Sequence, residues 1–179
     1  MQCANFEAVD WQWQWHGSKE TLLLRLAPDI QFETLYTSQQ LLGIPVSGQG
    51  FSTSDAKVYS EYRDKFKSLP LNQQAQFTLA VNATVASLYL KPQATKSWVF
   101  QPSLEADISR IQVGQYVKAM AVDEGLYLVL DTDDTASTLF LMSRWHKIDE
   151  NRWFERGKII KVHNDRLRIE PYHIQEQDL

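Results

Sequence analysis

The sequence lacks the features that mark exported, membrane-spanning or metal-dependent proteins. Its 179 residues contain a single cysteine, Cys3, which cannot form an internal disulfide, and no paired-cysteine spacing suits zinc. The opening segment MQCANFEAVD has neither a basic start nor an apolar run, and no apolar stretch approaches the ~18 residues of a membrane span. A net charge of −4 opposes general nucleic-acid binding. We therefore expect a cytoplasmic protein with no membrane span.

Recognisable catalytic patterns are also missing. The chain has no phosphate-binding P-loop and no G-x-S-x-G nucleophile elbow, and its GQGF segment lacks the third glycine of a dinucleotide fingerprint. The four histidines have no metal-ligand spacing, and the acidic run DTDDT lacks the central glycine of a calcium loop. The sequence thus predicts no metal, no cofactor and no identifiable catalytic residue.

What is present begins with a strand pattern. In VDWQWQW, Trp11, Trp13 and Trp15 alternate with polar residues, which predicts one aromatic and one polar face of a β-strand, and the aromatic face is more typical of a core than of a ligand platform. TLLLRLA and IQFETLY follow after short turns. We expect three consecutive strands in an antiparallel meander.

Two helices are predicted next. Ser54 is the expected N-cap of the first, with one apolar stripe formed by Val58, Tyr62 and Phe66. Asn72 is the expected cap of the second, which ends before Pro92. Its predicted apolar face consists of Phe77, Val81, Val85 and Leu88. The segment KSWVF, residues 96–100, then reads as extended.

The sequence pattern changes beyond residue 101. QYVKAMAVD, LYLVLD, STLFLMSRW, GKIIKVH and RLRIE are short β-like runs, and HNDRL has the composition of a tight hairpin. We therefore predict an α+β protein. An N-terminal α/β domain of antiparallel strands and two helices would span 1–105, and a small β-barrel-like domain would span 106–179.

Charge points to a binding region. Residues 144–168 hold eight basic and four acidic side chains, whereas 123–134 hold five acids and no base. If the basic strands meet Lys91 and Lys96 at the domain junction, a basic cleft would attract an acidic peptide. The alternative is that these cations are solvated edge-strand residues that prevent aggregation.

Several segments together resemble the ZapC family of cell-division proteins. They are VDWQWQW, DAKVYSEYRDKF, YLKPQATKSWVF and NDRL, in this order over most of the chain. The resemblance implies a non-enzymatic cytoplasmic protein at the division septum. Such a protein binds the tubulin-like GTPase FtsZ, bundles its protofilaments, stabilises the Z-ring and damps GTP hydrolysis.

The resemblance also implies a peptide site. The FtsZ C-terminal tail would dock at the domain junction, where Lys91 of YLKPQ, Lys96 of KSW and Arg166 of NDRL match the basic positions. Leu24 matches the apolar pocket position, with Leu23 as the other possible match, and Trp98 would floor the pocket or anchor its strand. A monomer is favoured.

Two other functions stay open at this stage. One is a small α+β enzyme that uses carboxylates or His146 in the same inter-domain cleft. The other is a single-strand nucleic-acid binder that uses the β-rich domain and its aromatic residues. Paired, desolvated acids in the cleft would favour the enzyme, and affinity for oligonucleotides at low salt would favour the nucleic-acid binder.

Overall fold

A computed structural model describes residues 10–43, 49–104, 110–170 and 174–179. Contacts divide the chain into two compact units, Met1–Lys91 and Pro92–Leu179. The domain boundary predicted between residues 105 and 106 lies outside the described residues, as does Cys3. None of the described helices is long and apolar enough to cross a membrane.

The first unit contains the predicted meander. Its sheet has the order β3-β2-β1-β4, and every pairing is antiparallel. The strands are β1 (Gln12–Trp15), β2 (Thr21–Ala27), β3 (Ile30–Thr37) and β4 (Gln49–Gly50). Trp11 and Trp13 are buried, which confirms the aromatic face as a core face. The rings of Phe51, Tyr59 and Phe77 pack edge-on around Trp11 with centroids 5.1 to 6.0 Å away.

Helix α1 (Thr53–Phe66) begins two residues earlier than predicted. Ser52, not Ser54, is the N-cap, because its hydroxyl accepts a hydrogen bond from the Asp55 backbone while the Asp55 carboxylate accepts one from the Ser52 backbone. This reciprocal capping box satisfies two amide donors at the start of the helix. Tyr62 and Phe66 are buried as predicted, whereas Tyr59, and not the partly buried Val58, completes the buried face.

Helix α2 (Gln73–Tyr89) has Asn72 as its N-cap, as predicted, with the Asn72 side chain accepting a 2.8 Å hydrogen bond from the Ala75 backbone. The single apolar face was too narrow an expectation. All residues from 79 to 86 are buried, whereas Leu88 is exposed. A helix surrounded in this way is a core element rather than a surface one.

The second unit is built from antiparallel strands. One five-stranded sheet has the order β10-β7-β6-β5-β11, and β8 pairs with β9 in a separate hairpin. The strands are β5 (Tyr116–Met120), β6 (Glu124–Thr132), β7 (Ala136–Leu141), β8 (Trp145–Asp149), β9 (Arg152–Glu155), β10 (Ile159–His163) and β11 (Leu167–Ile169). Two helices and several antiparallel sheets make the chain an α+β protein, as predicted. None of the β-like runs in the sequence analysis covers strand β9, so this strand was missed.

The HNDRL segment is not a hairpin. It forms a 3-10 turn, Asn164–Arg166, between β10 and β11, and these two strands pair with β7 and β5 at opposite edges of the sheet. Four residue steps separate His163 from Leu167, a reach of about 14 Å. The edges of a flat five-stranded sheet lie about 19 Å apart. The sheet therefore curves enough to bring the end of β10 within this distance of the start of β11, which agrees with the predicted barrel-like form.

Candidate functional site

Lys91 is fixed within the first unit at the end of α2. Its backbone N–H donates to the Gln40 carbonyl at 2.9 Å, and its Nζ donates to the Gln39 carbonyl at 2.5 Å. Pro92 ends the helical path here, and the strand-like residue Leu90 pairs with Leu41. Part of the hydrogen-bonding capacity of Lys91 is therefore used to hold the chain against the 3-10 turn at 38–40.

Leu24 lies in the core of the first unit. It is fully buried, and the strand register places it opposite Trp13 on one side and Phe32 on the other. Since successive side chains of a strand point to opposite faces, Leu23 lies on the other face of the sheet, where it is also buried. Both leucines thus help to fix the shape of the sheet.

The KSWVF segment belongs to the second unit and is not extended, contrary to the sequence prediction. Ser97–Val99 form a 3-10 turn, held because the His163 backbone donates to the Ser97 hydroxyl at 2.7 Å and the Lys96 backbone donates to the Lys161 carbonyl at 2.8 Å. Ser97 is buried, which forces its neighbours Lys96 and Trp98 outward.

Trp98 is the most exposed tryptophan of the described chain. Its ring is 76% exposed, and the Arg152 guanidinium carbon lies 5.4 Å from the ring centroid. Exposed large aromatic side chains beside arginine are typical of the residues that dominate binding energy at interfaces. Within its own unit Trp98 therefore lies on the surface and does not serve as an anchor in the core.

Arg166 contacts the same segment. Its Nη1 donates to the Phe100 carbonyl at 3.1 Å, and its Nε lies 3.2 Å from a carboxylate oxygen of Asp165. It also lines a cavity of about 220 Å³ whose walls include Lys118, Met120 and Arg168. The structure thus places Lys96, Trp98 and Arg166 in the second unit around residues 96–100, and Lys91 and Leu24 in the first unit.

The β8–β9 hairpin carries two more exposed tryptophans that the sequence analysis did not single out. Trp145 is 47% exposed and Trp153 is 51% exposed, and the register that pairs Trp145 with Glu155 and Lys147 with Trp153 sets both rings on the outer face. Each has a cation near its ring, Arg144 at 5.9 Å and Lys147 at 5.2 Å. We call the two hairpin rings and their cations the tryptophan face: Trp145, Trp153, Arg144 and Lys147.

A signal for this face was present in the sequence. His146 and Phe154 alternate with the two hairpin tryptophans and are buried, so the period of two would have set Trp145 and Trp153 outward once β9 was recognised.

The basic segment 144–168 carries less unpaired positive charge in the structure than its sequence suggests. Lys161 pairs with Asp133 of the β6–β7 turn at 3.2 Å, and Arg168 pairs with Glu124 of β6 at 2.7 Å.

His146 is a core residue. Its Nδ1 lies 2.6 Å from the Tyr127 hydroxyl, its Nε2 lies 3.0 Å from the Asp123 carbonyl oxygen, and the side chain is fully buried. Burial lowers the pKa of His146, which outweighs the opposing effect of Asp123. The imidazole is thus occupied at both nitrogens and closed to a substrate. In the described ranges, no group of three or more His, Cys, Asp or Glu side chains could hold a metal ion.

Comparisons with known proteins identify the family. Residues 7–91 match the family described as "Cell-division protein ZapC, N-terminal", and residues 92–172 match "Cell-division protein ZapC, C-terminal". The chain is 32% identical to a Cell division protein ZapC of Shewanella woodyi over 88% of this chain and 87% of the relative. It is 30% identical to one of Shewanella oneidensis over 88% and 89%, and 29% identical to one of Ferrimonas balearica over 88% of each. These matches confirm the resemblance seen in the sequence: the chain belongs to the ZapC family of cell-division proteins.

Proposed function

We propose that this protein is a non-enzymatic cell-division factor that acts in the cytoplasm at the septum. It binds FtsZ through the FtsZ C-terminal tail, promotes bundling of protofilaments, stabilises the Z-ring and slows GTP hydrolysis. Membership of the ZapC family supports the division role. The observation that carries the binding site is the exposed Trp98 ring with Arg152 stacked beside it and Lys96 two residues away.

The proposed mechanism is peptide capture on this surface. Aliphatic side chains of an acidic tail would cover the Trp98 ring, and carboxylates of the tail would pair with Lys96 and Arg152. A tail that is disordered before binding must become ordered, which opposes association and gives an affinity on the order of micromolar. Such an affinity suits a filament that exchanges its partners.

The remaining predicted site residues have supporting roles in this proposal. Arg166 fixes the Phe100 carbonyl and offers guanidinium charge on the cavity side, and Lys91 offers an ammonium group at the end of the first unit. Leu24 is buried, so we propose that it acts through the packing of its sheet. Bundling requires either two FtsZ contacts per molecule or association between copies.

Co-sedimentation with FtsZ polymers tests the proposal. Lys96→Glu and Trp98→Ala should each reduce the amount of protein bound by about tenfold or more, the range for residues at the centre of an interface. Lys57→Glu reverses an exposed lysine on α1 and serves as the matched control, because it changes the net charge as Lys96→Glu does. Lys96→Glu and Trp98→Ala, but not Lys57→Glu, should also fail to slow GTP hydrolysis by FtsZ.

Unchanged co-sedimentation of folded Lys96→Glu and Trp98→Ala would remove both residues from the site. Binding of a single-stranded oligonucleotide at low salt should be measured as well, because exposed tryptophans and cations also suit this kind of partner. Tight oligonucleotide binding that the Trp98→Ala substitution abolishes would contradict the proposal and favour nucleic acid. We expect negligible oligonucleotide binding because the net charge is −4.

A further inference from the structure

The second unit contains a groove that is occupied by residues 174–179 of the same chain. Gln175, Glu176 and Gln177 of this segment are exposed, whereas Asp178 is partly buried and Leu179 is buried. The segment forms a single 3-10 turn at Glu176–Asp178 and is part of no strand. It is therefore held through its last two residues, Asp178 and Leu179, by contacts to side-chain and main-chain atoms, as a short bound peptide would be.

The groove recognises the Asp178 carboxylate with a partly buried lysine. Lys118 Nζ lies 2.9 Å from Asp178 Oδ1, and the Ser143 hydroxyl donates to the Asp178 carbonyl at 2.6 Å. Lys118 also lies 3.4 Å from Glu124 and from Glu170, so it stays compensated when Asp178 leaves. The Asp178 contact is thus one that the groove can lose without leaving a buried, unpaired charge.

Two arginines hold the adjacent main-chain oxygen. The Arg144 backbone N–H donates to the Leu179 carbonyl at 2.6 Å, and the Arg156 guanidinium donates to the same oxygen. Burial and the neighbouring Arg144 both lower the pKa of Arg156, which reflects a half-buried cation close to a like charge. Such a cation requires an acceptor, and the segment supplies one.

The segment does not fill its groove. A cavity of about 300 Å³ remains beside it, with Lys118, Ser143, Arg144 and Trp145 among its walls. Arg144 and Trp145 also belong to the tryptophan face, so the groove continues into that surface. A longer peptide could occupy the groove and the exposed rings together.

We propose that this groove is a binding site for an acidic partner peptide in which an aliphatic residue follows an aspartate, and that residues 174–179 occupy it as an internal competitor. The short connection gives the segment an effective concentration of about millimolar. A free peptide of micromolar affinity then binds the intact protein at least about tenfold more weakly than a protein whose own segment has left. The segment sets the concentration of partner at which the groove becomes available.

The experiment uses the full chain and a fluorescein-labelled peptide IQEQDL with an amidated end, which copies residues 174–179. Asp178→Lys places a cation against Lys118 and should release the segment. Anisotropy titration should then show peptide binding at least about tenfold tighter than for the unmodified protein. Glu176→Lys makes the same charge change at an exposed position of the segment and should bind as weakly as the unmodified protein.

A second substitution checks where the peptide binds. Adding Lys118→Met to the Asp178→Lys variant should abolish the peptide binding that Asp178→Lys alone gains. A peptide with asparagine in place of its aspartate should bind neither the single Asp178→Lys variant nor the double variant. Equal binding by folded Asp178→Lys and Glu176→Lys would overturn the proposal. So would dimer formation by Asp178→Lys in light scattering without peptide binding, which would make a second copy the occupant. None of these readouts uses FtsZ, so they can fail while the proposed function holds.

Discussion

Tryptophan has opposite environments in the two units. In the first, Trp11 and Trp13 are buried, and the Trp13 indole donates to the buried Asp55 carboxylate at 3.2 Å. In the second, Trp98, Trp145 and Trp153 are exposed, each with a cation 5.2 to 5.9 Å from its ring. The same residue type therefore stabilises one unit and forms a candidate interface on the other. This difference predicts that substitutions of the two sets affect different measurements.

The largest effect should come from Trp13→Ala. Removing a fully buried indole leaves a cavity and an unpaired Asp55 oxygen, so the free energy of unfolding should fall by about 3–5 kcal/mol. Trp153→Ala should stay within about 0.5 kcal/mol of the unmodified protein, since its ring is half exposed. Urea unfolding measures both. Comparable losses for the two variants would remove the distinction between the units.

Asp55→Ala should have the next largest effect on the free energy of unfolding. The Asp55 carboxylate accepts hydrogen bonds from the Trp13 indole, from the Tyr89 hydroxyl at 2.5 Å and from the Ser52 backbone at 2.7 Å. Its removal leaves these donors unsatisfied and takes away the Asp55 half of the capping box, so we expect a loss of roughly 3 kcal/mol. The matched control is Asp64→Ala on the same helix, whose ion pair with Lys67 is exposed. A similar loss for both would contradict the central role of Asp55.

Gly125→Ala tests the core of the second unit. A Cβ at this position would lie 2.3 Å from His146 Nδ1, and the buried ring can move only by breaking its contact with the Tyr127 hydroxyl. Overpacking of this kind destabilises by about 1–3 kcal/mol. Gly17→Ala is the control, because open space surrounds that position. Equal midpoints in thermal unfolding would show that the His146 ring is not fixed.

The smallest effect is a pH dependence. Burial lowers the pKa of His146 in the folded state, so the unfolded chain binds a proton first as the pH falls. The His146 contribution is complete above the unfolded pKa of about 6.5 and is lost progressively below it. Asp123 faces the ring, and His146→Gln should flatten the slope of stability between pH 7.5 and 5 relative to the unmodified protein. An unchanged slope would assign the acid sensitivity to other groups.

Local pattern predicted most elements, because period and capping chemistry are local properties. The alternation in WQWQW set β1 and its buried face, and Asn72 capped α2 as expected. The misassigned segments KSWVF and HNDRL depend on long-range contacts. Ser97 turns KSWVF into a 3-10 turn through a bond to His163, 66 residues away, and no local signal encodes that partner.

The candidate site shows the same limit. Lys91, Lys96, Trp98 and Arg166 followed from family resemblance, whereas their surroundings did not follow from the sequence. The contact of Arg152 with Trp98 joins β9 to a distant turn, and β9 itself was hidden in a segment with the composition of a loop. Ion pairs with acids that are distant in sequence likewise neutralise part of the basic segment 144–168, and the sequence pattern does not predict these partners.

The turn at Asn164–Arg166 joins the two margins of the five-stranded sheet. The Asn164 side chain is buried there, accepting from the Ser137 hydroxyl at 2.6 Å and donating to the Asp133 carbonyl at 2.8 Å. One backbone cleavage at this point would remove the covalent link between the two edge strands β10 and β11 and leave each freer to pair with another chain, the usual route to aggregation. Protease resistance at this single link therefore reports on the integrity of the whole second unit.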